Sequence, residues 1–101
     1  MTTLCIDTSG EATVVLVRDG EDVGRATEPH PRRHAESLGT LVQTVVEDPS
    51  QIEQICVGTG PGPYTGLRAG IAFASALGRA LGVPVLGIPS QEALALAALD
   101  Q

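Results

Sequence analysis

The chain has 101 residues, 43% of them hydrophobic and only 2% aromatic, with twelve acidic against six basic side chains and a formal net charge of −6. That length allows one ordinary domain with its own core and excludes two, and the scarcity of aromatics requires a core of Val, Ile, Leu and Ala. The acidic balance runs against a surface built to grip phosphate backbones, which a surplus of Lys and Arg normally meets.

The opening MTTLCIDTSG has no basic region followed by an apolar run and a small-residue cleavage site, so nothing marks it for export and a cytoplasmic address is expected. TLCIDT reads as a strand buried on both faces, and ATVVLVRDGEDVGRAT as two more strands joined by a turn at Asp19-Gly20, which gives three consecutive antiparallel strands. From His34 the pattern changes. Leu38, Leu41, Val42, Val45 and Val46 recur at helical spacing and Pro49 follows, so an amphipathic helix with one apolar stripe is expected. Ser50 and Glu53 have the spacing of a capping box and would support one short turn before the strand QICVG. Beyond the glycine-rich stretch GTGPGPYTGLRAG, a helix is predicted from Thr65 to Leu81 with Gly82 as its terminator, then the strand VPVLGI, then a last helix after Ser90 carrying Leu94, Leu96 and Leu99. Alternation of strand and helix in the second half implies parallel pairing there, hence an α/β fold with a mixed five-stranded sheet and helices packed on it.

The least polar region, Gly70 to Ile88, is interrupted by Arg79, Gly82 and Pro84, which argues against a membrane span. Cys5 and Cys56 both fall in predicted strands and are expected as buried, reduced thiols, because two cysteines offer too few ligands for a structural zinc site.

The stretch from Gly58 to Gly70 lies between a strand and a helix N-terminus, a place where backbone N–H groups and the helix dipole favour an anion. Asp7, Gly60, Gly62, Thr65 and Arg68 are the residues that an anion or nucleotide would meet there. The chemistry fits less well. A P-loop needs Lys and Ser/Thr after its last glycine, and here Gly66 is followed by Leu67 and Arg68. The third glycine of a dinucleotide loop is replaced by Pro63, and prolines remove N–H donors. Gly66, Gly70, Ala74, Gly78 and Gly82 are also spaced four apart. Each glycine inside a helix costs about 1 kcal/mol relative to alanine, and close approach of another backbone along the stripe would offset that. The stripe is expected to pack partly on the domain's own sheet or first helix and partly on a partner protein. Arg68 works against the dipole of the first turn, so it either pairs with a carboxylate or anion near the loop or is simply solvated.

Together IDTS, the HAES segment at His34 to Ser37, GPGPYTGLRAGIAFASALGRAL and VPVLGIPSQEALA resemble the N-terminal lobe of the TsaB family, over nearly the whole chain. The family's loop typically reads GPGSFTGLR, and this chain has Pro63 for the usual Ser and Tyr64 for Phe. The resemblance implies a ribonuclease-H-like lobe of the actin-like ATPase superfamily, residues 1–101 forming one such lobe without the family's second. It also implies a non-catalytic subunit that binds the catalytic subunit TsaD and, with the ATPase TsaE, supports placing a threonylcarbamoyl group on the adenosine following the anticodon of ANN-reading tRNAs. The tRNA would be met only indirectly, no cofactor is implied, and the chain alone would be a homodimer. In the family the two helices of this lobe form homodimer or TsaD contacts, which assigns the interface to Leu38, Leu41, Val42, Gly66, Arg68, Gly70, Ala74 and Gly78.

In TsaD-like relatives the strand matching VPVLGI leads into a His-x-x-x-His metal pair; here those positions are Ser90 and Leu94. The other His-x-x-x-His, His30 and His34, encloses Pro31 and two arginines, which disfavour a helix and a bound cation and favour a polar loop. Asp7 sits where actin-like ATPases place metal and phosphate. Without a second acidic partner it reads as structural, in an Asx-type turn with Thr8 or Ser9. The second reading is therefore an actin-like ATP-binding phosphotransferase or ATPase lobe using Asp7 and the loop from Gly60 to Gly66, and the third is a metallopeptidase.

Overall fold

The computed structural model describes residues 1–8, 11–28, 34–60 and 64–89, the side chains of 34–36 and 64–66 excepted. The chain opens with β1 (Thr2–Asp7), β2 (Ala12–Arg18) and β3 (Glu21–Glu28). Asp19 and Gly20 both take positive φ, 52° and 84°, the backbone that a tight hairpin needs to match the twist of its strands. The Asp19 carboxylate accepts from the Met1 ammonium at 2.7 Å, tying the turn to the start of β1. β1 pairs β2 antiparallel from Thr2↔Arg18 to Asp7↔Thr13. β2 pairs β3 antiparallel with a bulge between Leu16 and Val17, where Val23 is the extra residue.

Next come α1 (His34–Val45), a short 3-10 turn (Pro49–Gln51), β4 (Gln54–Gly58), α2 (Tyr64–Leu81) and β5 (Val85–Ile88). β4 joins β1 in parallel, from Thr3↔Gln54 to Ile6↔Val57, and β5 joins β4 in parallel. The sheet is thus five-stranded and mixed, in the order β3-β2-β1-β4-β5, as the alternation of strand and helix predicts. β1 lies at its centre and is buried along its whole length, which explains its continuous run without exposed charge. Gly82 ends α2 with φ +70°, a conformation glycine adopts at no steric cost. The helix expected after Ser90 lies outside the described residues.

The expected capping box of Ser50 and Glu53 does not form. Asp48 caps the turn instead, its Oδ1 accepting from the Ser50 N–H at 3.0 Å and the Ser50 hydroxyl at 2.7 Å. Those bonds hold the Asp48 carboxyl below the usual carboxylate range. Pro49 occupies the first turn position, where a missing N–H costs nothing, and this shifts the cap to the residue before it. Glu53 serves the sheet: its Oε1 accepts from the Thr2 N–H at 2.7 Å, and its own N–H donates to the Thr2 carbonyl at 2.9 Å.

Both helices lie side by side on one face of the sheet, α1 against β2 and β3, and α2 against β4, β1 and β5. Leu4, Ile6, Val14, Leu38, Val42, Ile55, Val57 and Ala74 form the core between the layers. On the other face Cys5, Val15, Val17 and Cys56 make a second buried cluster, with Ile88 packed against it. Cys5 and Cys56 are direct neighbours across β1 and β4, buried and not joined in a disulfide, as expected. The hydrogen bond Cys5 shares with Cys56 and, after it, burial push the Cys5 thiol well up.

Candidate functional site

The parallel pairing of β1 and β4 brings their carboxyl ends together, next to the point where β2 reverses the strand direction. In open α/β sheets ligands are met outside the carboxyl ends of the strands. Asp7 ends β1 and is 8% exposed, and Thr8 after it is buried. Gly60, at φ 130°, follows β4 at the same end. α2 starts beyond this loop, with Arg68 exposed near its N-terminus. Asp7, Gly60 and Arg68 therefore belong to one end of the sheet. Gly62 lies outside the described residues, and Thr65 and Gly66 are placed only as backbone in the first turn of α2.

Part of the glycine stripe packs on the chain's own sheet, as expected. A Cβ built on Gly70 would stand 2.5 Å from Thr8 Oγ1, and one on Gly78 would overlap the Val85 side chain. Ala74 between them is wholly buried. Gly70, Ala74 and Gly78 thus let α2 lie directly on the ends of β1 and β5 and are taken up by the chain's own sheet, whereas Gly82 is exposed with nothing within 4 Å of an added Cβ. Leu38, Leu41 and Val42 are likewise in the chain's own core, so the interface assigned to them is corrected: the apolar stripe of α1 faces the sheet because burying it is what holds the helix there.

The surface that the helices offer outward is another one. On α2, Arg68, Ala72, Ser75, Ala76, Arg79 and Ala80 are exposed, together with Ile71 at 37%. Apart from Arg68, Ile71 and Arg79 these side chains are small, and α2 carries no acidic residue in a chain of net charge −6. Arg68, Ala72, Ala76 and Ala80 repeat every four residues, a second stripe parallel to the glycines. That repeat was the signal available in the sequence, masked by the more conspicuous glycines. Among the described residues no group of three or more His, Cys, Asp or Glu could hold a metal, and His30 lies outside them. No described helix is long and apolar enough to cross a membrane.

The family model described as TsaD, tRNA N6-adenosine threonylcarbamoyltransferase, matches residues 26–101. An uncharacterized protein of Mycobacterium tuberculosis is 42% identical over 100 residues, covering 92% of this chain and 47% of the relative. The tRNA threonylcarbamoyladenosine biosynthesis protein TsaB of Bacillus subtilis is 31% identical over 100 residues, covering 94% of this chain and 44% of that protein. The structure of YeaZ from Pseudomonas aeruginosa superposes with a TM-score of 0.80 at 32% identity, over 88% of this chain and 45% of the other. The chain spans about half the length of the curated relatives it matches. The sheet order and the two helices on one face fit the ribonuclease-H-like, actin-like lobe. On these matches and this fold, the chain belongs to the TsaB family, corresponding to the N-terminal part of its members.

Proposed function

We propose that this chain acts in tRNA threonylcarbamoyladenosine biosynthesis as a non-catalytic subunit that docks a TsaD-like catalytic subunit through the outward face of α2. The observation that carries the reading is the division of α2 into two stripes: glycines close against its own sheet, and Ala72, Ser75 and Ala76 bare to solvent with Arg68 and Arg79 flanking them. Small exposed side chains allow a partner helix to approach closely, and two arginines on an otherwise acidic protein favour a partner that offers carboxylates. A second copy would use the same face when the chain is alone. A TsaE-like ATPase joins the assembled complex, tRNA is held by the partner, and the whole works in the cytoplasm.

Ala72→Glu and Ala76→Glu should each abolish co-purification with TsaD and leave thermal unfolding unchanged, since an exposed substitution shifts stability by about 0.5 kcal/mol or less. Survival of the complex in both variants would refute the α2 interface. The position of Asp7 at the shared end of β1 and β4 favours the second reading, an ATP-binding lobe. Calorimetry with ATP decides it: binding that is lost on Asp7→Ala would replace the non-catalytic reading.

A further inference from the structure

At the end of the sheet remote from Asp7, Thr2 opens β1 and pairs with Arg18 at the close of β2. The two side chains are therefore cross-strand neighbours on one face, the face of Leu4 and Leu16 that α1 covers. α1 ends over this corner, where a Cβ built on Gly24 would stand 3.1 Å from Val45 Cβ. Between the sheet and the end of α1 lies a cavity of about 560 Å³, a size common for small-molecule sites. Its buried apolar lining is Leu16, Val46 and Ile52. Val23, the extra residue of the bulge, lines it too and is 48% exposed.

The polar lining differs in sign between the sheet side and the helix side. On the sheet side, Arg18 Nη2 donates to the neutral Gln51 Oε1 at 3.1 Å, and Arg18 makes no ion pair among the described residues. Thr2 is 7% exposed. Its backbone N–H and C=O are both taken by Glu53, yet its hydroxyl has no hydrogen-bond partner among the described residues. Buried hydroxyls normally have one. On the helix side, α1 has no basic residue in its last turn, so nothing on the helix offsets the negative end of its dipole. Glu47 and Asp48 follow directly and line the cavity.

We propose that this cavity binds a small zwitterion of the α-amino-acid class with an apolar side chain: the carboxylate on the Arg18 guanidinium and the Thr2 hydroxyl, the ammonium on the carbonyl end of α1 and Glu47, the side chain over Leu16, Val23 and Ile52. A guanidinium with one N–H engaged keeps donors for a carboxylate, and the Thr2 hydroxyl gains the partner it lacks. The last carbonyls of a helix have no intrahelical donors and accept from an ammonium. An anion alone would face Glu47, Asp48 and the helix end, and a cation alone would face Arg18. The site is separate from the outward face of α2 and stands whether or not that face docks a partner.

NMR titration of the folded chain with L-leucine as the probe tests this. Saturable shifts should appear at Thr2, Arg18, Val23 and Val45 to Glu47, with half-saturation below about 10 mM. N-acetyl-L-leucine, which lacks the ammonium, and L-leucinamide, which lacks the carboxylate, should each bind about tenfold or more weakly. Arg18→Gln, at an exposed position, and Thr2→Val, which keeps the shape and removes the hydroxyl, should each weaken leucine by about tenfold while the amide spectrum of α2 stays as it was. Equal binding of N-acetyl-L-leucine would make this an anion site and equal binding of L-leucinamide a cation site, and either result overturns the proposal. So would the absence of saturable shifts at about 10 mM leucine, or an affinity that survives both substitutions.

Discussion

Gly70 and Gly39 both sit inside helices, yet the space around them differs in kind. A Cβ at Gly70 meets Thr8, whereas one at Gly39 meets nothing within 4 Å. Gly70→Leu should destabilise the fold by about 3 kcal/mol or more through overpacking, and Gly39→Ala should stabilise it by about 0.5–1 kcal/mol by favouring the helix; urea unfolding of the two variants checks both signs. A loss of TsaD binding in Gly70→Leu would therefore report a broken lobe, not a broken interface. At the other end of the molecule, the exposed pair of the Met1 ammonium and Asp19 holds the amine above its ordinary value, chiefly through its hydrogen bond to Asp19, and holds the carboxyl below its own, by the same bond. The amine's contribution is present at low pH and lost as pH rises through its raised value. The carboxylate's contribution is present at neutral pH and lost as pH falls through its depressed value, so the tether is intact only between the two. In an NMR titration, Asp19→Asn should move the amine down toward its ordinary value, and added salt should do so in part.

Each helix was recognisable as an element from its own spacing, because periodicity is a local property of the chain. What its faces touch is not local. For α1 the apolar stripe and the buried face coincide, and Leu38 at 0% exposure marks the depth of contact: Leu38→Ala should cost about 2–5 kcal/mol in chemical denaturation, with Gln43→Ala, on the exposed side, close to neutral. α2 has two repeats of four, and both could have been the inward one on spacing alone. Glycine identifies the inner stripe once the sheet is present, since only a missing Cβ admits Thr8 and Val85 at those distances. Alanine suits the outer stripe, where a helix former without a packing partner is the better residue. The turn before β4 shows the same limit at smaller scale. Ser50 and Glu53 have capping-box spacing, but Glu53 is drawn away by Thr2, 51 residues distant in sequence and adjacent in the sheet.

For the molecule as a whole, the sheet separates two environments. Both described helices cover one face, and the Cys5–Cys56 pair lies on the other, at 0% and 7% exposure. With the Cys5 thiol pushed up by its neighbour and by burial, thiolate is scarce there. Alkylation under native conditions should proceed only at the rate of global unfolding, and both thiols should label at once in denaturant; rapid labelling of the native chain would show that this face opens locally. The sequence by itself determined the elements, their order, the hairpin at Asp19-Gly20, the parallel second half and the family resemblance, because these rest on neighbours in the chain and on short motifs. Tertiary structure alone decided which stripe of α2 faces inward, that Leu38, Leu41 and Val42 belong to the core, and that β3 and β5 are the edges, one charged and one bare. These depend on contacts between residues far apart in the chain, where the energy of burying a face or pairing a strand is set by what lies opposite, and no local pattern encodes that.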